Sequence, residues 1–108
     1  MCDRYKWTEQ GAPVEKTLTG PELFGLFGQF GALKTRKITL VGTEPVLRPD
    51  LPQILTDIRQ QGIKPEVYTA GIILKDEIIG SILENFSDAA FSVDGFYPNS
   101  HNRIRMPD

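Results

Sequence analysis

The chain has 108 residues, a formal net charge of −2, and 40% hydrophobic and 9% aromatic residues, which fits one globular domain or part of one. Charges of both signs are spread along it, and this pattern excludes a nucleic-acid patch or a polybasic membrane segment as its main feature. No apolar run has the length of a membrane span, and polar residues follow Met1 at once, so we expect no signal peptide. The only cysteine, Cys2, cannot form an intrachain disulfide, and this favours a reducing, cytoplasmic setting.

The first predicted element is a helix that begins near Thr19. Thr19 and Glu22 have the spacing of a capping box, and proline is tolerated in a first helical turn. Apolar residues recur beyond them at helical spacing: Leu23, Phe24, Leu26, Phe27 and Phe30. Residues 1–17, which precede this helix, are predicted to be irregular or weakly extended.

Strands and helices then alternate along the chain. A short buried strand is predicted at 38–41, and further strands at 66–69 and 89–93. Between them we predict one helix with Asp50 as its cap, Pro52 in its first turn and Gly62 just after its end, and a second helix at 76–86. The buried stripe of the first of these helices would be Leu51, Ile54, Leu55 and Ile58. The polar tail, residues 96–108, is predicted to be a loop.

This alternation is typical of βαβ units, so the fold class is predicted to be α/β with a parallel sheet and right-handed crossovers. Three such strands with a leading helix make about half of a barrel or of a doubly wound sheet.

Each predicted strand is followed by glycine or polar residues. The carboxyl ends of parallel strands meet at one edge of a sheet, where ligands bind in parallel α/β folds. We therefore expect one shared pocket. Its candidate residues are Gly42, Thr43 and Glu44 after the first strand, Thr69 and Gly71 at the second, and Ser92, Asp94 and Gly95 at the third.

The side chains at this edge suggest a ligand that carries a cationic amine, hydroxyl groups and a carboxylate. Glu44 could accept charge-assisted hydrogen bonds from an amine. Ser92 and Asp94 could hold sugar hydroxyls, and Arg103 and Arg105 could clamp a carboxylate. Each pattern alone also fits an ordinary turn, since Gly-x-Glu-Pro and Asp-Gly are common turn sequences.

Taken together, the segments resemble those of the radical S-adenosylmethionine (radical SAM) family, most closely its molybdenum-cofactor-synthesis-like and peptide-modifying branches. Residues 38–51 resemble the family's GGEPLLRPDL segment, 68–74 its TTNGxLL segment, 91–95 and 101–105 its SLDG and HDRIRG segments, and 1–7 the end of its CxxxCxxC loop. The segments come in the family's order and cover nearly the whole chain.

In this family three cysteines bind a 4Fe–4S cluster, and SAM chelates the fourth iron through its amine and carboxylate. Reductive cleavage of SAM then gives a 5′-deoxyadenosyl radical. The resemblance implies Cys2 as one cluster ligand. It implies a SAM site made of Gly42, Thr43, Glu44 and Pro45 near the methionyl amine, Thr69 beside them, Ser92 and Asp94 near the ribose or carboxylate, and Arg105 at the carboxylate.

The chain also departs from the family pattern. Thr43 replaces the second glycine of GGEP, and Ala70 replaces the asparagine of TNG. The first two cluster cysteines and the last strands of a six-stranded barrel do not occur in the sequence. We therefore expect a fragment of a radical SAM core, with residues 1–17 as a remnant of the cluster loop and 18–108 as about half of a (β/α)6 partial TIM barrel.

Three functions follow as alternatives. The chain could be part of a radical SAM enzyme, a small α/β module that binds a nucleotide or a protein without a cluster, or a structural fragment with no ligand. One thiolate cannot hold a cluster that needs three, so we expect neither a cluster nor activity in this chain alone. Open strand edges invite pairing, which predicts a homodimer or a strand-exchanged oligomer.

Overall fold

The computed structural model describes residues 17–42, 44–71, 74–85, 87–93 and 95–105. They belong to two compact units, one of which is Leu18–Ser92. The other combines Met1–Thr17 with Val93–Asp108. In the described part of the chain, no helix is both long and apolar enough to cross a membrane.

Helices and strands alternate in the Leu18–Ser92 unit as the sequence predicts. Its elements are α1 (Gly20–Ala32), β1 (Lys37–Leu40), a 3₁₀ turn (Pro45–Leu47), α2 (Leu51–Gln60), β2 (Lys64–Thr69), α3 (Asp76–Glu84) and β3 (Asp88–Phe91). The predicted capping box at the start of α1 is present, with the Glu22 carboxylate accepting hydrogen bonds from both the backbone N–H and the hydroxyl of Thr19 at 2.8 Å. Gly62, the residue predicted just beyond α2, has the positive φ of 73° expected there.

The three strands form one parallel sheet in the order β1-β2-β3, which confirms the predicted α/β class. In this register Leu40 pairs with Val67, and Val67 with Ala89. Side chains alternate between the two faces of a strand, so the register assigns each residue to a face. One face carries Ile38, Leu40, Pro65, Val67, Thr69, Ala89 and Phe91, and the other carries Lys37, Thr39, Lys64, Glu66, Tyr68, Asp88 and Ala90.

The helices bury the first of these faces along β2 and partly along β1, whereas Ala89 and Phe91 of β3 are exposed. One buried cluster joins the 3₁₀ turn, α2, β2 and α3 through Val46, Leu51, Leu55, Val67, Ile78 and Ile82. A second joins α1 and α2 through Phe27, Ile54, Ile58 and Ile63. The predicted stripe of α2 is thus buried as expected, and because it contributes to both clusters, α2 is the central helix of the unit.

The second face carries ion pairs instead of a core. Lys37 lies 3.1 Å from Glu66, and Lys64 lies 2.8 Å from Asp88. The prediction that the first strand is buried is therefore wrong for one of its two sides. Ile38 and Leu40 are half-buried beneath the helices, whereas Lys37 and Thr39 are exposed on the opposite side.

The second unit contains a helix where the sequence predicts a loop. Residues Pro98–Arg105 form α4. Proline suits the first turn of a helix because its missing N–H needs no partner there. The Ser100 hydroxyl donates to the Tyr97 carbonyl at 2.9 Å and accepts from the Tyr97 N–H at 3.4 Å, which stabilises the first turn. A helix this polar has no apolar stripe, so periodicity could not reveal it.

Candidate functional site at the strand ends

The carboxylate of Glu44 joins the ends of β1 and β2. Its Oε1 accepts a hydrogen bond from the Thr69 hydroxyl at 2.5 Å, and its Oε2 accepts one from the backbone N–H of Ala70 at 2.8 Å. Glu44 lies four residues beyond β1, and Thr69 is the last residue of β2. The expected meeting of these two strand ends is therefore found, through a direct contact between two of the predicted site residues.

The residue after β3 reaches the same end of the sheet. The Ser92 N–H donates to the Thr69 carbonyl at 3.0 Å, and the Ser92 residue is exposed. Ser92 therefore lies next to Thr69 at the same edge of the sheet.

The loop that carries Glu44 has open space on one side and a packed anchor on the other. Gly42 has a φ of 153°, a conformation that favours glycine, and a Cβ placed there would meet no described atom within 4 Å beyond its chain neighbours. Pro45 begins the 3₁₀ turn, and the Val46 N–H donates to Glu44 Oε1 at 3.4 Å. Val46 itself is buried in the core, so the turn holds the loop against the helices.

The arrangement leaves the Glu44 carboxylate able to accept one further donor. Three groups of the described chain donate to it, the Thr69 hydroxyl and the N–H groups of Val46 and Ala70. An ionised carboxylate offers about four lone-pair positions. As far as the described residues are concerned, one position therefore remains for an external N–H, and a half-buried carboxylate at the strand ends fits a cationic amine.

Gly71 has a packing role that the sequence did not reveal. Its φ is 71°, and a Cβ at this position would lie 3.2 Å from Cδ1 of Phe91. Glycine is thus favoured here both by the backbone conformation and by the close approach of the ring from β3. Nothing in the local sequence could have found this contact, because it depends on the pairing of β2 with β3.

The structure also contains an ion pair that the sequence did not predict, between Arg48 and Asp50. Arg48 Nε and one terminal nitrogen donate to the two carboxylate oxygens of Asp50 at 2.7 and 2.9 Å. This pairing lowers the pKa of Asp50 and raises that of Arg48. Asp50 is the N-cap residue of α2, as predicted, but its side chain makes no cap hydrogen bond because it is engaged by Arg48.

For the remaining predicted residues the structure gives no position relative to this site. Cys2, Thr43 and Asp94 lie outside the described residues, and Arg105 is the last residue of α4 in the second unit. Among the residues that the structure does describe, no three His, Cys, Asp or Glu side chains are grouped so as to hold a metal ion. The roles predicted for these four residues stay predictions.

The chain is similar to GTP 3′,8-cyclase 1 of Mycobacterium tuberculosis, in the sequences of strains CDC 1551 / Oshkosh and ATCC 25618 / H37Rv. In both cases 24% of 117 aligned positions are identical, and the match covers 94% of this chain and 32% of the cyclase. The chain therefore spans about a third of the length of these curated relatives. No family model matches it. No solved structure matches it either. The distant likeness to the cyclase supports the resemblance to the radical SAM family and to its molybdenum-cofactor-synthesis-like branch.

Proposed function

We propose that this chain is part of a radical SAM enzyme and that its Leu18–Ser92 unit holds the methionyl end of SAM at the strand ends. The observation that carries the proposal is the Glu44 carboxylate, which bridges β1 and β2 and accepts hydrogen bonds from three groups of the described residues. The family motifs around it and the likeness to a GTP 3′,8-cyclase both support this assignment.

In this proposal the chain binds and orients the cofactor. Glu44 accepts a hydrogen bond from the methionyl ammonium, and the open backbone at Gly42 lets the amino-acid part of SAM come close. Ser92 lies near the ribose or carboxylate. When bound to SAM, a 4Fe–4S cluster supplies the radical chemistry of the family. By resemblance Cys2 is one of its ligands, and a single thiolate is too few, so this chain alone holds no cluster and is inactive.

The charged sheet face favours a half barrel over a doubly wound sheet. A doubly wound sheet is buried on both faces, and its strands are apolar on both sides. Here one face carries Lys37, Lys64, Glu66 and Asp88 in two ion pairs, and a layer of helices packed on it would have to remove these charges from water. In a barrel the helices cover only the outside, so we propose that these strands are about half of a (β/α)6 partial TIM barrel with this face inward.

Binding of SAM to the 108-residue chain tests the proposal by isothermal titration calorimetry. We expect a measurable affinity that falls on Glu44→Ala, because the ammonium loses a charge-assisted acceptor. Glu77→Ala is the matched control, since it removes an exposed carboxylate from the first turn of α3 and should leave the affinity unchanged. A wild-type chain that does not bind SAM, or an equal loss in both variants, would contradict the proposal.

A binding module without a cluster would give the same calorimetric result, but the sequence encoded upstream of it would differ from that of a radical SAM enzyme. A radical SAM parent needs Cys-x-x-x-Cys encoded upstream of Met1, with the second cysteine three positions before Cys2. Anaerobic reconstitution of the 108-residue chain with iron and sulfide gives an independent check. A 4Fe–4S spectrum with SAM cleavage from this chain alone would contradict its proposed inactivity.

We also propose that this chain self-associates as a homodimer or a strand-exchanged oligomer. β1 and β3 are the outer strands of the described sheet, and unpaired edges template further pairing. Phe91 of β3 is also apolar and 51% exposed. Sedimentation that shows only monomer at high concentration would contradict this.

A further inference from the structure

We infer that Thr69 is a positioning residue: its hydroxyl orients the Glu44 carboxylate for a cationic amine and does not contact the ligand itself. The inference rests on the proposed function in one respect, because the amine is taken to be the methionyl ammonium of SAM. The other part of the inference, that Thr69 orients Glu44, depends only on hydrogen bonds within the chain.

Thr69 is buried, and its hydroxyl both donates and accepts a hydrogen bond within the protein. The residue is 3% exposed. Its Oγ1 donates its one proton to Glu44 Oε1 at 2.5 Å and accepts from the Gly71 N–H at 2.9 Å. A hydroxyl has one proton and two lone pairs, so Glu44 takes the proton and Gly71 one lone pair, and the burial of Thr69 keeps a ligand from the second lone pair. The influence of this hydroxyl on a bound amine therefore passes through Glu44.

The bond network fixes both oxygens of the carboxylate. Thr69 holds Oε1, and the neighbouring Ala70 N–H holds Oε2 at 2.8 Å. Because the Gly71 N–H in turn donates to Thr69 Oγ1, the three bonds form a connected chain in which each bond polarises the next. A side chain held in this way loses little further freedom when a ligand arrives, and such preorganisation raises affinity.

The test compares three variants by calorimetry on the 108-residue chain. Thr69→Val keeps the shape but removes the hydroxyl, and Thr69→Ser keeps the hydroxyl. Thr39→Val is the matched control, because Thr39 also donates to a carboxylate across β1 and β2, that of Glu66 at 2.7 Å. The probes are SAM and 5′-methylthioadenosine, which shares the nucleoside but lacks the ammonium.

We expect Thr69→Val to weaken SAM binding by about 3- to 10-fold, the usual worth of one hydrogen bond, and to leave 5′-methylthioadenosine unaffected. Thr69→Ser should restore the affinity, and Thr39→Val should not change it. Equal SAM affinity in wild type and Thr69→Val would overturn the inference. Equal weakening of both probes would also overturn it, since that would indicate a direct contact of Thr69 with the nucleoside.

Amide hydrogen exchange gives a readout that needs no ligand. If Thr69 orients Glu44, the Ala70 N–H that bonds to Glu44 should exchange faster in Thr69→Val than in wild type and recover in Thr69→Ser. Unchanged Ala70 exchange in Thr69→Val would overturn the inference. Should the wild-type chain not bind SAM at all, the proposed function fails, and this measurement alone decides whether Thr69 positions Glu44.

Discussion

Lys37 Nζ lies 3.1 Å from Glu66 Oε2, across β1 and β2 on the sheet face opposite the buried clusters. The same carboxylate accepts a hydrogen bond from the Thr39 hydroxyl at 2.7 Å. Charged pairs on the interior strand of a parallel sheet are unusual, because such strands are normally buried on both sides. This face therefore meets water or a polar ligand, and the first prediction concerns its titration.

We expect Glu66 to make the stability of the chain depend on pH in the acidic range. The Thr39 hydroxyl, followed by Lys37, holds the pKa of Glu66 below its usual range. The folded-state pKa is thus lower than the unfolded one, so the stabilisation is fully present above about pH 4.3, the ordinary value for glutamate. It is lost as the pH falls through the folded-state value.

Thermal unfolding of wild type and Glu66→Gln measures this effect. The scans run from about pH 3 to about pH 7, a range that includes the ordinary glutamate pKa of about 4.3. The difference in melting temperature between wild type and variant should be largest near neutral pH and should shrink in acid. Thr39→Val removes the main cause of the pKa shift and should give an intermediate curve. Parallel curves for wild type and Glu66→Gln over the whole range would contradict the prediction.

Gly71→Ala should destabilise the chain more than Gly62→Ala. Both glycines have a positive φ, of 71° and 73°, so each alanine variant carries a backbone cost of about 1 to 2 kcal/mol. A Cβ at Gly62 meets nothing within 4 Å, whereas one at Gly71 lies 3.2 Å from the Phe91 ring. We expect this crowding to add about 1 kcal/mol at Gly71.

Urea unfolding of the two alanine variants measures the difference. The excess at Gly71 should disappear in the background of Phe91→Leu, because the smaller side chain frees the space. Equal losses of stability at the two glycines would show that Phe91 moves aside without cost.

The sequence was sufficient to predict α2 because its signals are local. Asp50 and Pro52 mark its start, Gly62 marks its end, and the apolar spacing between them predicts the buried stripe that the structure shows. The alternation of such segments also predicted a parallel α/β sheet. These inferences need only neighbours in the chain, since caps and helical periodicity act over a few residues.

The partners of Glu44 could not be predicted from the sequence. Thr69 and Ala70 are 25 and 26 residues away from Glu44, and they face it only once β1 and β2 have paired in their register. For the same reason the sequence could suggest Thr69 as a site residue but could not show that its hydroxyl is buried. The helix α4 was missed for a different reason, the absence of any apolar stripe.

Leu55→Ala should destabilise the Leu18–Ser92 unit strongly, whereas Leu83→Ala should have little effect. Leu55 is 0% exposed within the main buried cluster, and Leu83 is 70% exposed on α3. Truncation of a buried leucine removes packing and leaves a cavity, at a cost of about 2 to 5 kcal/mol. Truncation of an exposed one typically changes stability by about 0.5 kcal/mol or less. Similar midpoints of urea unfolding for the two variants would contradict the assigned core.

We expect the Arg48–Asp50 pair to stabilise the chain modestly. We also expect this contribution to depend on the two hydrogen bonds that join the side chains. The side chains are 36% and 41% exposed, so solvent screens the attraction, and exposed pairs of this kind contribute about 0.2 to 1 kcal/mol. A double-mutant cycle with Arg48→Met and Asp50→Asn should give a coupling energy within that range, because both donors on Arg48 bond to Asp50. The coupling should fall at high salt, since the pair is exposed.

Arg48→Lys keeps the charge but cannot form the two parallel bonds, so it should lose most of the coupling. A lysine variant as stable as the wild type would show that charge alone, and not the fork of the guanidinium group, holds this segment beside the Glu44 loop.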